Sequence, residues 1–263
     1  MKEQRMLSLL RQAIRDYNMI SDGDRVCIGL SGGKDSMTLL ALMQKLSLFD
    51  DMHFTLCAVM VDLGFRSASD NASVFTHDRT SDSVSVSDIA SFCENKGVLF
   101  SRVDTQIAQI VFEAKNETRP CSLCANLRKG ALVNEAVRLG CSKIAYAHHR
   151  DDMIETALLS VLQEGRFYCF PPVTDFEDKG LQILRPMMYV PESAIQTFVR
   201  ENQTPVLKNP CPMDGRSRRQ EAKELLYDLE KRHKGAKDQV FRAILNAGFD
   251  DWPRPSGTVH TGT

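Results

Sequence analysis

The 263-residue sequence contains no apolar run approaching the ~18 residues that a membrane-spanning helix needs. No membrane partner is therefore expected. The first residues, MKEQRMLSLLRQAIRDYN, carry charge throughout and lack an apolar core followed by a small-residue cleavage site. They read as a helix rather than a signal peptide, which predicts a cytoplasmic protein. Net charge is −1, so no global positive field advertises nucleic acid, and any RNA surface has to be local. There are eight cysteines. In a long chain without a leader they do not suggest a disulfide framework. No internal repeat is present. The 43% hydrophobic content is enough for one sizeable core.

Apolar residues at helical spacing (Met6, Leu10, Ala13, Ile14, Tyr17) predict an amphipathic helix over residues 1–20. Apolar runs at Arg25–Leu30, Phe54–Val61, Val98–Val103 and Lys143–Ala147 read as strands, with helical patterns between them. That alternation predicts a doubly wound α/β fold with a parallel sheet, over residues 21–190. Residues 67–88 are rich in serine and aspartate and read as a long mobile loop, a lid or a solvated insertion. Residues 191–250 read as helical, with helices expected over 191–202, 217–232 and 238–247. Residues 251–263 read as a disordered tail. Cys27 and Cys57 lie inside strand-like runs and read as small buried hydrophobes, as do the isolated Cys93, Cys141 and Cys169.

Ser31-Gly32-Gly33-Lys34-Asp35-Ser36 lies between a predicted strand and a predicted helix. Glycines there let backbone N–H groups approach an anion, and the helix adds its positive N-terminal end. Aligned on Gly33-Lys34, the Walker pattern would need glycine at Ile28 and a hydroxyl at Asp35, so it fails at both. The dinucleotide fingerprint fails too, because the glycines are adjacent. The string resembles the phosphate loop of the PP-loop ATP pyrophosphatases. That resemblance implies ATP cleavage between the α- and β-phosphates, with Ser31, Gly32, Gly33, Lys34, Asp35 and Ser36 at the phosphates and Val61 and Asp62 near the adenosine.

Ala147-His148-His149-Arg150-Asp151-Asp152 follows the fourth predicted strand and opens a helix. Carboxylates there serve either as helix caps or as ligands for the Mg²⁺ that offsets triphosphate charge. Asp152 is the first-choice metal ligand, Thr156 lies one turn on, and His148 is placed at the ATP site. The string resembles the second signature of the tRNA-modifying PP-loop branch, and Leu184-Arg185-Pro186 resembles that branch's Arg-Pro element. Arg185 is then expected to neutralise phosphate, alongside Asp35 and Asp152 as catalytic residues.

Pro120-Cys121-Ser122-Leu123-Cys124 is a single C-x-x-C, open between zinc, an iron–sulfur cluster and redox chemistry. The one other cysteine in an exposed, proline-flanked context is Cys211. Three cysteines are one short of a closed site. This motif, with SGGKDS and HHRDD, resembles the tRNA 2-thiocytidine synthetase family from about Arg25 to Arg219. The resemblance implies a cysteine-motif insertion around residues 115–140 and a [4Fe–4S] cluster on Cys121, Cys124 and Cys211, with one iron open for sulfide. It also implies adenylation of the C2 oxygen of an anticodon-loop cytidine and its replacement by sulfur. Asp214 stands where familiar members carry a second C-x-x-C cysteine. A cysteine desulfurase or free sulfide would donate sulfur, and a homodimer is expected.

Arg128 and Lys129 beside Cys124, and Arg216, Arg218, Arg219 and Lys223 beside Cys211, are the expected RNA contacts. Two rivals stand beside this reading. One is a different PP-loop reaction, such as another thionucleoside or desulfuration. The other is a non-enzymatic ATP- or redox-sensing cluster protein.

Overall fold

The computed structural model describes residues 1–49, 52–65, 84–114, 120–213, 218–253 and 255. The sheet has the order β3-β2-β1-β4-β6-β5, built from β1 (Arg25–Leu30), β2 (Thr55–Asp62), β3 (Leu99–Asp104), β4 (Lys143–Ala145), β5 (Val173–Phe176) and β6 (Leu181–Leu184). β5 alone runs antiparallel, paired with β6 at the edge. β1 pairs in parallel with β2 on one side and with β4 on the other. The chain thus reverses its winding between β1 and β4. That switch point opens a crevice at the carboxyl ends of the strands, where α/β sheets bind ligands.

The helices are α1 (Glu3–Asp16), α2 (Lys34–Leu46), α3 (Val86–Asn95), the short α4 (Ile107–Gln109), α5 (Pro120–Arg138), α6 (Arg150–Leu159), α7 (Glu192–Glu201), α8 (Arg218–Arg232) and α9 (Ala236–Asn246). Strand alternation separates two cores. Val26, Ile28 and Leu30 of β1 face the larger one, shared with α1, α2, α3, α6, α7 and α9. Cys27 faces the smaller one with Cys57, Val59 and Val61 of β2 and Leu132, Val133 and Ala136 of α5. Burial on both faces explains why the strands read as continuous apolar runs.

Several expectations change. The cysteine motif opens α5, the crossover helix between β3 and β4, rather than an insertion. The serine- and aspartate-rich stretch ends sooner than residue 88, because Ser85 caps α3 in a reciprocal capping box with Asp88. Residues 66–83 lie outside the described residues, as do 214–217, 254 and 256–263, so neither the proposed lid nor most of the tail is described. α9 begins at Ala236, two residues ahead of expectation. The short β5–β6 hairpin had no alternating signal to announce it. Cys27, Cys57, Cys93, Cys141 and Cys169 are all buried, as expected. Among the described residues, no helix is long and apolar enough to cross a membrane.

Candidate active site

The β1–α2 loop is closed by its own serines. Ser31 Oγ lies 3.0 Å from Ser36 Oγ and accepts the Gly33 N–H at 3.2 Å, while Ser36 Oγ donates to Gly33 O at 3.0 Å. Gly33 is the N-cap of α2 and has no side chain to cap it. The first-turn N–H groups of α2 are therefore left for a ligand, whereas α3 and α6 both carry capping boxes. Gly32 has φ +77, and a Cβ there would meet Leu207 Cδ1 at 2.5 Å. Leu207 N–H donates to Gly32 O at 2.9 Å. This close approach lays the segment before Cys211 directly on the phosphate loop.

A cavity of about 660 Å³ opens at the switch point. Its walls include Ser31, Asp35 and Ser36 from the loop, His148 and Asp152 from the β4–α6 segment, and Cys121, Cys124, Arg128 and Lys129 from α5. Cys211, Asn209 and Arg219 complete the rim, and Val61, Leu63, Phe112 and Leu132 supply an apolar wall. Residues far apart in sequence thus converge on one space. Gly32, Gly33 and Lys34 of the same loop are not among the lining residues. Lys34 Nζ sits 2.9 Å from Asp35 and 3.0 Å from Glu192. Burial pulls its pKa down, but those two carboxylates carry it above the ordinary lysine value.

The two aspartates of the β4–α6 motif divide their work. Asp151 is buried, accepting Glu192 N–H at 2.8 Å and Lys237 Nζ at 2.9 Å, so it pins α6 to α7 and α9. Asp152 faces the cavity and accepts Arg219 Nη1 at 3.2 Å. Thr156 spends its hydroxyl on Asp152 O at 2.7 Å. His148 also lines the cavity, stacked on Phe170 at 4.8 Å. Burial, then the nearby Arg185 cation, pushes its pKa down to about 4, so the ring is neutral at physiological pH.

The other expected site residues are split between the cavity lining and its surroundings. Arg185 is 8% exposed, and its Nη1 donates to Pro171 O at 2.6 Å and Thr174 Oγ1 at 2.9 Å. It braces the β5–β6 hairpin behind His148 and does not line the cavity. Asp62 is buried. It pairs with Arg102 and accepts Gly64 N–H at 2.9 Å, which shapes the turn after β2; Val61 alone of that pair reaches the cavity. Among the expected RNA contacts, Arg219 and Lys223 turn inward, Lys223 toward Glu192 at 3.2 Å and Glu155 at 3.8 Å. Arg218 stays at the surface with Gln163. Arg128 is desolvated inside the cavity, and Lys129 lies 3.9 Å over the Phe176 ring. Arg216 and Asp214 lie outside the described residues.

The sequence reading put the motif's imidazoles at the phosphate-loop rim but named only His148 as a site residue, and it did not name Glu192. Glu192 carried no local signal. His149 did: it stands three residues before Asp152, the capping-box spacing.

A family model described as a PP-loop domain matches residues 2–226. A tRNA-cytidine(32) 2-sulfurtransferase of Dechloromonas aromatica (strain RCB) is 33% identical over 237 residues, covering 89% of this chain and 77% of the relative. A protein of the same name from Geobacter sulfurreducens is 33% identical over 238 residues, covering 89% of this chain and 86% of the relative. A solved structure, the U34-tRNA thiolase NcsA from Methanococcus maripaludis with its [4Fe-4S] cluster, has a TM-score of 0.68 at 20% identity, over 91% of this chain and 76% of that one. That likeness carries the fold. Motifs, cavity and relatives agree, and the chain belongs to the PP-loop family and, within it, to the tRNA-cytidine(32) 2-sulfurtransferases.

Proposed function

We propose that this chain is an ATP-dependent tRNA sulfurtransferase that adenylates the C2 oxygen of the anticodon-loop cytidine at position 32, the position in its relatives' name, and exchanges that oxygen for sulfur. One observation carries the reading. A single cavity is lined by the phosphate-loop residues, by Asp152, and by Cys121, Cys124 and Cys211. Activation and sulfur delivery act on one base carbon, so both sets of groups need to share one space.

The α2 first-turn N–H groups and the Ser31 and Ser36 hydroxyls receive the phosphate end of ATP. Asp35 and Asp152 would hold Mg²⁺, which supplies charge neutralisation for the triphosphate. The apolar wall of Val61, Leu63 and Leu132 takes a flat ring. Cytidine O2 attacks the α-phosphorus and pyrophosphate leaves. The adenylated oxygen is then a good leaving group. Sulfide attacks C2, the C2–O bond breaks, and AMP departs with that oxygen, with no change in oxidation state.

The three cavity cysteines are the residues that would hold a cluster, one thiolate per iron. Burial pushes the Cys124 thiol up, Arg128 opposes this, and Cys211 and Cys121 add to the rise. A cationic cluster relieves that mutual penalty by taking all three as thiolates. A [4Fe–4S] cluster bound there supplies a Lewis-acidic iron with one open position. A cysteine desulfurase or free sulfide would provide the sulfur, and a homodimer is the expected assembly.

The test uses anaerobically purified protein with unmodified tRNA, ATP and sulfide. The expected product is 2-thiocytidine by nucleoside mass spectrometry, with one AMP and one pyrophosphate per sulfur. A different thionucleoside overturns the substrate assignment, and AMP release without sulfur incorporation overturns the transfer step.

A further inference from the structure

We infer that His149 is a positioning residue that holds Asp35 and Asp152 together as one cation-binding pair; this deepens the adenylation reading above and rests on it. The His149 side chain is 2% exposed and sits at the N-cap of α6. The turn fixes it twice. Nδ1 accepts the Asp152 N–H at 3.4 Å, and the His149 N–H donates to Asp152 Oδ2 at 2.9 Å. A ring that accepts at Nδ1 carries its proton on Nε2. That nitrogen faces carboxylates from two separate elements, Asp152 Oδ2 at 3.5 Å and Asp35 Oδ1 at 3.7 Å. Both distances exceed those of a strong hydrogen bond. The ring is a spacer shared by two acids, committed to neither.

Two like charges at the ends of different helices repel, and something has to hold them in register. The outer partners are flexible cations: Lys34 lies 2.9 Å from Asp35 and Arg219 lies 3.2 Å from Asp152. A divalent ion can displace those side chains. It cannot displace His149, which is buried and completes the α6 cap. The mobile cations therefore fill in for the ligand, while the rigid ring keeps the shape of its site. Capping alone does not explain a histidine here. Serine, aspartate and asparagine cap better, and Ser85 does so at α3. The second nitrogen, set between two carboxylates, is what the imidazole adds.

The experiment separates cap from spacer. His149→Asn keeps an acceptor for the Asp152 N–H and removes Nε2. Two quantities are measured on the full chain. One is the urea unfolding midpoint, and the other is the Mg²⁺ concentration giving half-maximal binding of a non-hydrolysable ATP analogue. We expect a wild-type midpoint and a Mg²⁺ requirement raised roughly tenfold, with cation-free analogue binding unchanged. His149→Ala also loses the cap and should show both a lower midpoint and the Mg²⁺ shift. Wild-type Mg²⁺ dependence in folded His149→Asn overturns the inference and leaves the adenylation reading standing. Analogue binding that ignores Mg²⁺ in the wild-type protein overturns the metal assignment itself, and the inference with it.

Discussion

Arg219 of α8 donates to Asp152 of α6 at 3.2 Å, while its neighbour Arg218 turns to Gln163 at the surface. Adjacent arginines thus serve different partners. Arg218→Glu should weaken tRNA binding and lower the salt slope of its affinity by about 1, leaving nucleotide binding intact. Arg219→Glu replaces a cation of the cavity lining with an anion that repels phosphate, so it should weaken binding of both tRNA and the ATP analogue. Filter binding at several salt concentrations, paired with nucleotide titration, distinguishes the two. Normal nucleotide binding by Arg219→Glu would remove Arg219 from the site.

The paired glycines of the phosphate loop differ in what they tolerate. Gly32 has a left-handed backbone with Leu207 against it, so Gly32→Ala should cost about 2–4 kcal/mol in urea unfolding. Gly33 has φ −74, open to any residue, and a Cβ there meets only Ser31 Oγ at 3.3 Å. Gly33→Ala should cost about 1 kcal/mol or less. Equal destabilisation by the two would contradict this account of the loop.

Two buried groups set opposing pH dependences. Burial raises the Glu155 pKa to about 7, with Lys223 opposing and Asp152 adding to the rise. Its folded state holds a proton that the unfolded chain releases, so Glu155 makes stability fall between roughly pH 4.5 and 7. His148, pushed down to about 4, binds its proton more readily when unfolded, so it makes stability rise between roughly pH 4 and 6.5. Where the windows overlap, the two slopes largely cancel. Glu155→Gln should leave stability rising with pH there, and His148→Asn should leave it falling, each by at most about 1.4 kcal/mol per pH unit. Unfolding midpoints from pH 4.5 to 7 check both signs.

The sequence was most legible where one short segment carried its own physics. The β1–α2 loop announced itself by glycines and hydroxyls at a strand end, and Cys121, Cys124 and Cys211 by spacing and proline context. Side-chain direction was not legible. Arg219 and Lys223 read as a basic surface because their partners, Asp152, Glu155 and Glu192, lie on other helices. Arg185 read as a phosphate ligand, but its Nη1 is taken by Pro171 O and Thr174 Oγ1 and the side chain does not line the cavity. His149 hid behind its neighbour, since only the fold decides which of two adjacent histidines turns toward Asp35.

The eight cysteines should divide cleanly in their iron chemistry. Cys121, Cys124 and Cys211 line the cavity, while Cys27, Cys57, Cys93, Cys141 and Cys169 are buried. Burial pushes the Cys93 and Cys169 thiols up to about 12. Such groups stay protonated at neutral pH and are poor ligands, because the thiolate is what binds metal. Cys27 and Cys57 meet directly across the β1–β2 register, buried on the face covered by α5, and neither lines the cavity. Serine at position 121, 124 or 211 should therefore abolish bound iron and acid-labile sulfide in anaerobically purified protein, with little change in the unfolding midpoint of the metal-free chain. Alanine at position 27 or 57 should keep full iron content and lose about 1 kcal/mol of packing stability. The position of Cys211 makes its substitution the sharpest of these tests. It follows closely after Leu207, whose N–H donates to Gly32 O, so one short segment links the phosphate loop to the third thiol. Full iron content in Cys211→Ser would break the three-cysteine assignment and return the centre to the single C-x-x-C pair.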